Sequence, residues 1–540
     1  MGQTRGEIDQ NLAERLCWQV ARRDDARVAR RLYRKPGVDG VYRLDDGGLR
    51  DDFFYSRHQL GVVDLLGHVQ GTAVQREMVP VIHYILLYSV KTLFGIDRMN
   101  ALPALLFSDE ARMRLVGCNA QQVRPGVCQR GAAIRQGPRT AGPMCADTLA
   151  DNIAKLNLRD LEALFNGGIR ALAQARSFGP KVTGMVDATA LETTAPYEGC
   201  GQGTRQRRIS DTHGQVHEIE VTVYGFQRMV LLDAPTKIPL AGQVVPIHAP
   251  EGLSRRALVT PARTNLAGHA RLPKVVFDRG FLAGVDRWWL DQHGLLFVAP
   301  AKDNMAVTID ARAQAAAGDG VTTGRRAHTG RHGQGRTAWT ERLETAVVGI
   351  TGLTTDDQYG TPEHGRHHNR RDFEPHLINA VVVRKWQNRD YGPGGRTVFL
   401  TTAAVAKPLQ PFDDDDRRLI EHGCIKERKQ PWSLKHPPQK TARAVRVHVL
   451  FPVLMFALAT AYRLTCEPEA SGGEPVGWQR WRRQLLEQRR AHVMVFAMGY
   501  YGILHLAEYS LLLGVTSKDR PPGIGTRQQV LATYRLTTAH

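Results

Sequence analysis

The stretches KVTGMVDATAL, residues 181–191, and PKVVFDRGF, residues 273–281, decide the fold that this sequence predicts. Each is a run of β-branched and apolar residues with the length of a buried strand, and each contains one aspartate, Asp187 or Asp278. A carboxylate in a buried strand costs several kcal/mol unless a cation compensates it. Mg²⁺ is a natural compensation, because it binds carboxylate oxygens and keeps water at its other positions. Two such aspartates on one predicted sheet therefore indicate a cation site.

The segments around these two strands predict an α/β fold with a mixed sheet, because strand-like and helical runs follow one another. The further strands and helices are expected at 217–225, 227–234, 263–271, 284–293 and 295–302. The stretch 303–400 predicts a β-rich insertion in this layer. It contains two Gly- and Arg-rich segments, expected to be basic loops, and two strand-like runs: 324–336, 363–372, 377–386 and 396–402.

The remaining regions predict helix. Residues 1–175 are expected to be mostly helical, with a strongly apolar helix at 78–94. Within them, SDEARMRLVGCNAQQV (108–123) predicts two short helices about Gly117. Such a pair is either a helix-turn-helix reader of DNA or ordinary bundle packing. Residues 466–540 are expected to form a helical C-terminal region.

A third carboxylate lies on a helix predicted at 413–430. The segment FDDDDRRLIEHGCIKERKQP (412–431) begins with acidic residues that suit a helix N-terminus and ends at a proline. At about 100° per residue, Glu421 shares one helix face with Arg417 and Arg428. Glu421 can complete a cation site while the two arginines hold phosphates. The alternative is a solvated helix with ion pairs one turn apart.

The charge balance indicates a polyanionic partner. Lys and Arg total 72 against 53 Asp and Glu, which gives a net charge of +19 and a pI of about 9.8. Lys and Arg that neutralise phosphates release counterions, so a chain this basic favours nucleic acid. The alternative is a basic soluble protein without such a partner.

Cysteine use and hydropathy favour a cytoplasmic protein without a membrane partner. The seven cysteines are scattered and never spaced as CxxC, which is typical of a reducing compartment. The most apolar stretches, between Arg446 and Arg463 and from Ala491 to Ala507, fall short of the roughly 20 residues of a membrane span. We expect buried core helices there, and the N-terminus has no apolar segment typical of a secretory signal.

In these motifs the chain resembles the DDE transposases of bacterial insertion sequences, in particular the group with a Tyr-Arg-Glu-Lys signature around its catalytic glutamate. The resemblance covers roughly residues 145–465. It rests on MVDATAL with Asp187, on VVFDRGF with Asp278, and on RRLIEHGCIKERKQPWSLK with Glu421. The long interval between the last two acids fits members whose catalytic core is split by a β insertion.

The resemblance implies a ribonuclease-H-like core in which Asp187, Asp278 and Glu421 bind two Mg²⁺ or Mn²⁺ ions. It implies metal-dependent phosphodiester hydrolysis at transposon ends, followed by transfer of the freed 3′-OH to target DNA. The partners are then double-stranded DNA, both terminal inverted repeats and target, and a second copy of the chain in a synaptic dimer.

The organisation that this resemblance implies has five regions. They are a DNA-end-binding region (1–175), the first part of the core (176–302), the β-rich insertion (303–400), the completion of the core (401–465) and a possible dimerisation region (466–540). The cations expected to contact DNA are Arg279, Arg325, Arg326, Arg331, Arg370, Arg371, Arg417, Arg428 and Lys435.

The match departs from the family signature at two positions. Aligned on Glu421, the signature Tyr falls on Asp414 and the signature Lys on Arg428, whereas Arg417 matches by identity. Arginine keeps a phosphate-binding cation, but a carboxylate cannot replace a phenol.

Two other functions stay open. His368 and Arg371 fit the HxxR spacing of a tyrosine recombinase, which a covalent protein–DNA adduct would favour. A domesticated DNA-binding protein with a silent core would bind DNA without metal-dependent nicking. His364, His367 and His368 lack a fourth zinc ligand at metal spacing. The sequence has no P-loop, HExxH or GxSxG motif, so nucleotide hydrolysis, zinc proteolysis and serine hydrolysis lack support.

Overall fold

The computed structural model of the chain contains two compact units, which we describe separately. The first unit joins Met1–Ala171 to Glu427–His540, and the second is Leu172–Lys426. The structure describes residues 18–34, 37–44, 51–71, 79–123, 145–193, 197–210, 215–249, 255–278, 282–318, 322–332, 339–356, 359, 377–387, 396–414, 436–466, 478, 480–481, 490–515 and 523–536.

The helices in these described residues are α1 (Asp25–Tyr33), α2 (Asp51–Gln59), α3 (Val62–Leu66), α4 (Val81–Leu93), α5 (Glu110–Leu115), α6 (Ala120–Val123), α7 (Ala146–Ala154), α8 (Leu158–Gln174), α9 (Arg255–Leu266), α10 (Gly284–Gln292), α11 (Ala306–Ala317), α12 (Leu409–Asp414), α13 (Ala442–Cys466), α14 (Leu506–Leu512) and α15 (Arg527–Thr533). A 3₁₀ turn, Met99–Ala101, and a π-helical turn, Pro103–Phe107, lie between α4 and α5.

The strands in the same residues are β1 (Arg22–Arg23), β2 (Gly40–Arg43), β3 (Lys181–Thr193), β4 (Gly201–Ser210), β5 (Val216–Asp233), β6 (Pro239–Pro246), β7 (Arg271–Val276), β8 (Leu296–Pro300), β9 (Thr322–His332), β10 (Trp339–Leu353), β11 (Ile378–Gln387), β12 (Thr397–Thr401), β13 (His492–Ala497) and β14 (Tyr500–His505).

Apolar helices form the core of the first unit. Helix α4 buries every side chain from His83 to Leu93, and it packs against α7 and α13. The segment Ala442–Thr465 of α13 is long and apolar enough to cross a membrane by length and composition, and 89% of its most apolar window is buried inside the protein. The prediction that this stretch is too short for a span is therefore wrong, because the helix extends beyond both flanking arginines. Its predicted burial in a helical core is confirmed.

The short helices about Gly117 are confirmed as α5 and α6, and Gly117 has a φ of 97°. The Asp109 side chain, rather than that of Ser108, caps α5 by accepting a hydrogen bond from the Arg112 backbone N–H. Asn119 accepts a similar hydrogen bond from the Gln122 backbone N–H. Whether this pair reads DNA stays a prediction.

The C-terminal region contributes a β-hairpin, so the prediction that it is helical throughout is wrong. Strands β13 and β14 join β1 and β2 in a sheet of order β1-β14-β13-β2. The turn residues Met498 and Gly499 have positive φ angles of 50° and 76°, as in a type I′ hairpin turn. Both strands are buried along almost their whole length, so their sequences show no apolar–polar alternation. A short run of that kind predicts helix and strand equally well.

A ten-stranded mixed sheet spans the described part of the second unit. Its order is β4-β5-β3-β7-β8-β12-β11-β10-β9, and β6 also pairs with β5. Strand β3 pairs antiparallel with β5, and β5 pairs antiparallel with β6. On its other edge β3 is parallel to β7, and β7 is parallel to β8. The predicted α/β layer with a mixed sheet is therefore confirmed.

Most elements predicted in this layer are confirmed, and three differ. The strand predicted at 273–281 ends at Val276, so Asp278 lies two residues after it rather than within it. The helix predicted at 263–271 begins at Arg255 and ends at Leu266, because it accommodates Pro261 in its interior. The two strands predicted at 217–225 and 227–234 are one strand, β5, which continues through Gly225. Gly225 has a φ of 149°, and a Cβ there would lie 2.2 Å from the Leu191 carbonyl oxygen. The glycine allows this close approach rather than a turn.

One face of this sheet carries a continuous apolar cluster. We call it the front face and define it by Met185, Val230, Val276 and Val298, which pack together with Val347, Val381, Val383, Phe399 and Val405. Leu409 of α12 packs on this cluster. A Cβ at Gly324 of β9 would lie 3.0 Å from the Leu409 side chain. Helix α12 therefore begins over the front face of β9 and β10.

The β-rich insertion continues the same sheet. Strand β12 pairs antiparallel with β8, and β11, β10 and β9 follow in antiparallel order. The prediction of a basic loop at 324–336 is wrong for residues 324–332, which belong to the edge strand β9. Eleven residues of β9 pair with β10, and this pairing holds a Gly- and Arg-rich sequence extended. Charged side chains are common on edge strands, where they discourage further pairing. The segment 363–372 lies outside the described residues.

An ion pair between Arg287 of α10 and Asp356 is fully buried in the second unit. Its Nη1 and Oδ2 atoms are 2.5 Å apart, and both side chains have 0% exposure. The guanidinium also lies over the rings of Phe297 and Tyr359. Such a pair holds two neighbouring elements in one arrangement, because either charge alone in the interior is costly.

We predict that Asp356→Ala lowers the free energy of unfolding of the second unit by about 3–5 kcal/mol, because it leaves the Arg287 charge buried without its carboxylate. Urea unfolding followed by tryptophan fluorescence measures this loss. The control is Asp303→Ala, which breaks the exposed ion pair with Arg312 and should cost at most about 1 kcal/mol. Equal losses in the two variants would contradict the prediction.

Candidate functional site

Asp187 is on β3, and Asp278 follows the end of the neighbouring parallel strand β7 by two residues. The pairing of β3 with β7 runs through Gly184 opposite Val275 and Met185 opposite Val276. Continuing this register by two residues brings Asp187 opposite Asp278. Side chains alternate between sheet faces with a period of two, so both aspartates belong to the front face that carries Met185 and Val276. Neighbouring strands are about 4.8 Å apart, so the two carboxylates are within reach of one cation.

Asp278 lies just past the carboxyl end of β7, whereas Asp187 is in the middle of the longer strand β3, which continues to Thr193. Strand β7 ends at Val276, and the Phe277 backbone N–H still donates a hydrogen bond to the Val298 carbonyl of β8 at 2.9 Å. Asp278 follows directly after this last interstrand bond. In open α/β sheets, ligands bind at this edge, where the chain leaves the sheet and makes room for them.

Both carboxylates are partly buried. Asp187 is opposite Val230 of β5, and the Thr189 hydroxyl donates a long hydrogen bond to its Oδ2 at 3.5 Å. Thr189 is itself 4% exposed. The described surroundings of Asp187 therefore include an apolar side chain and a hydroxyl donor.

The donor set fits Mg²⁺ or Mn²⁺ as far as it is described. Two carboxylates on one sheet face supply the oxygen ligands that these ions prefer. Within the described ranges no group of three or more His, Cys, Asp or Glu side chains could hold a metal ion. Glu421, the predicted third ligand, lies outside the described residues. Helix α12 ends at Asp414, seven residues earlier, so only residues 413 and 414 of the helix predicted at 413–430 are described.

Three of the nine predicted DNA-binding cations lie on the edge strand β9. Arg325 and Arg326 are both exposed, and Arg331 belongs to the same strand, although its side chain is not among those described. The other six lie outside the described residues, and so do the recombinase-like pair and the histidines of 363–372. These six predicted cations are Arg279, Arg370, Arg371, Arg417, Arg428 and Lys435.

Arg325 and Arg326 belong to opposite faces of the sheet. Arg326 is paired with Thr345 of β10, and Thr345 is paired with Lys385 of β11. Thr345 and Lys385 alternate in phase with the cluster residues Val347 and Val383, so all three members of this row are on the front face. Arg325 is one residue out of phase and is on the other face.

The sequence analysis missed Lys385. The signal was present in LINAVVVRKW, where alternate positions from Val381 lead to Lys385. This alternation becomes informative only when it is known which side of the strand belongs to the same sheet face as Asp187. The analysis also missed β4, whose exposed arginines Arg205 and Arg207 both pair with Glu192. Strand β4 was not predicted because most of its residues are polar or glycine.

Comparisons with known proteins were made against families, curated proteins and solved structures. No protein-family model matches the sequence, and no curated protein matches it. Among solved structures, the chain is similar to a chain of the piggyBac transposase synaptic complex with hairpin DNA, determined by cryo-EM. The TM-score is 0.33 and the identity 10%, over 86% of this chain and 79% of that chain. A likeness at this level supports no conclusion about the fold or the function of this chain.

We predict that the double variant Asp187→Cys, Asp278→Cys is cross-linked within the chain by dibromobimane, a reagent that bridges two thiols a few ångströms apart. The reason is the extended register of β3 and β7, which brings the two positions opposite each other. Mass spectrometry of the digested protein identifies the bridged peptides. In the control Ala188→Cys, Asp278→Cys, the first thiol is on the opposite sheet face and should not be bridged. Equal yields in both variants would refute the alignment.

Proposed function

We propose that this protein is a DNA transposase of the DDE class, which cleaves DNA at transposon ends and joins the freed 3′-OH to target DNA. The observation that carries the proposal is the parallel register of β3 and β7, which, extended by two residues, brings Asp187 opposite Asp278 just past the end of β7. These two aspartates belong to the motifs MVDATAL and VVFDRGF, in which the sequence resembles the DDE transposases. Their convergence on one sheet face is what a shared metal centre requires.

The strand order supports a ribonuclease-H-like core. The strands β6-β5-β3-β7-β8 form a mixed sheet in which the first strand along the chain, β3, is central. It is antiparallel to β5 on one side and parallel to β7 on the other. This arrangement fits the core that the resemblance implies, with Asp187 on the central strand and Asp278 after its parallel neighbour. The antiparallel strands β9 to β12 then correspond to the insertion.

The position of α12 supports Glu421 as the third acid. Leu409 at the start of α12 packs on the front face, the face of both aspartates. Twelve residues of helix extend about 18 Å, and the four strand spacings from β10 to β7 amount to about 19 Å. A helix continued from α12 as the sequence predicts would therefore be long enough to bring Glu421 from the insertion to the aspartates.

The chemistry follows from what these residues can do. Asp187, Asp278 and Glu421 would hold two divalent ions, which when bound supply charge stabilisation and activation of water or a 3′-OH for in-line attack on a phosphodiester. The carboxylates provide negative charge at fixed positions, and Arg326 and Lys385 provide cations for phosphates on the same face. No side chain needs to become covalently attached to DNA, which separates this proposal from a tyrosine recombinase.

We expect Asp187→Asn, Asp278→Asn and Glu421→Gln each to abolish nicking of supercoiled plasmid DNA in Mn²⁺, because each removes one negatively charged ligand. Binding of the same DNA should stay nearly unchanged, since DNA affinity depends mainly on cations. Gel electrophoresis measures nicking, and a filter-binding assay measures affinity.

The matched control for this experiment is Asp303→Asn. Asp303 follows β8, the next parallel strand, but its carboxylate is exposed and paired with Arg312. This variant should nick DNA at the rate of the unaltered chain. Retained nicking by Asp187→Asn would refute the proposal, and a protein–DNA adduct would favour the recombinase instead.

We predict that Arg326→Ala weakens DNA binding and reduces the slope of log affinity against log salt by about 1, because one phosphate contact is lost. Lys385→Ala should act in the same direction. Arg325→Ala is the control, since it removes the same side chain from the adjacent position on the other sheet face. Titrations of a DNA duplex at several salt concentrations measure the slopes. If the two arginine variants give the same slope, the front face is not the DNA-binding face.

A further inference from the structure

Arg228 of β5 places a positive charge in the interior of the second unit. Its side chain is 2% exposed, and a guanidinium stays protonated in proteins. Burial of such a charge is costly unless a carboxylate compensates it. The same unit contains a second buried arginine, Arg287, and there the compensating group is Asp356.

The pairing of β3 with β5 brings Arg228 close to Asp187. Arg228 is directly opposite Thr189, and Asp187 is directly opposite Val230. Arg228 and Asp187 are therefore diagonal neighbours on the front face, a separation that long side chains can span. Thr189, which lies between them, donates its hydroxyl hydrogen to Asp187.

Asp187 is the carboxylate that the sheet offers to this guanidinium. Within two residues of Arg228 and of its partners in β3 and β6, no other Asp or Glu belongs to the front face in the described strands. The neighbouring front-face side chains of these strands are Leu191, Phe226, Val230 and Val244, which carry no charge. Asp187, the candidate cation ligand, is thus the front-face carboxylate next to Arg228 along these strands.

We propose that Arg228 is the built-in counter-ion of Asp187: it positions this carboxylate on the front face while no metal is bound, and it competes with divalent cations for it. The competition rests on the proposed function, since it requires Asp187 to be a metal ligand. Two carboxylates one strand spacing apart repel each other, and a fixed cation beside them offsets the repulsion. The same cation opposes the approach of a divalent ion.

The test compares Arg228→Met, which keeps the length of the side chain without its charge, with Arg228→Lys, which keeps the charge. In the metal-free full chain, Arg228→Met should lower the melting temperature by several degrees. The melting temperature of Arg228→Lys should stay close to that of the unaltered chain. Mn²⁺ binding, measured from the electron paramagnetic resonance signal of free Mn²⁺, should be at least about tenfold tighter in Arg228→Met, because the competing charge is gone. A merely structural arginine would not tighten cation binding when removed.

The Asp187→Asn background separates charge pairing from packing. If Arg228 acts on Asp187, Arg228→Met should destabilise the Asp187→Asn chain much less than it destabilises the unaltered chain. Equal destabilisation in both backgrounds, or Mn²⁺ binding that is unchanged or weaker in Arg228→Met, would overturn the proposal. None of these readouts needs DNA cleavage. If Arg228 and Asp187 are coupled but the chain does not nick DNA in Mn²⁺, the counter-ion proposal holds and the transposase proposal is refuted. If the chain nicks DNA but the two residues are not coupled, the transposase proposal holds and the counter-ion proposal is refuted.

Discussion

The parallel pairing of β3 with β7 is the constraint on which the rest of the second unit depends. This pairing ends with Met185 opposite Val276, and extending its register by two residues makes neighbours of two aspartates that are distant in sequence. The period of two along a strand then decides that both belong to the face that also receives α12. A slip of one residue in either strand would move its aspartate to the other face. The apolar cluster of the front face opposes such a slip, because it would also expose Met185 or Val276.

Charge on the front face is distributed in a way that suits a nucleic acid and its metal ions. The negative side chains are in the middle of β3 and just after β7, and the basic row of Arg326 and Lys385 is on β9 and β11 of the same face. Phosphates would be attracted to the row, whereas cations would be attracted to the aspartates. Arg228, buried beside Asp187, adds a fixed charge that does not depend on ligands. The net charge of +19 is therefore less informative than the faces on which individual cations lie.

The sequence predicted the elements whose residues alternate or run apolar over their whole length. Strands β3, β7 and β8 and helix α10 are where those patterns indicated, because burial on both sides leaves a run of apolar residues. The same pattern gave a wrong prediction at β13 and β14, where an apolar run predicted as a core helix forms a buried hairpin. Strand β9 was not predicted, because its Gly and Arg residues have little preference for extended structure. Pairing with β10 holds them extended. The candidate site was predictable as far as Asp187 and Asp278, but the opposite faces of Arg325 and Arg326 follow from a register that no local pattern contains.

The central claim is that carboxylates from distant parts of the chain meet around divalent cations. The most direct measurement is anomalous scattering at the manganese edge from crystals of the full chain grown with Mn²⁺ and a short DNA duplex. We predict manganese peaks beside the front face, with oxygens of Asp187, Asp278 and Glu421 about 2.1 Å away. Manganese bound elsewhere, or Glu421 directed away from both aspartates, would contradict the account.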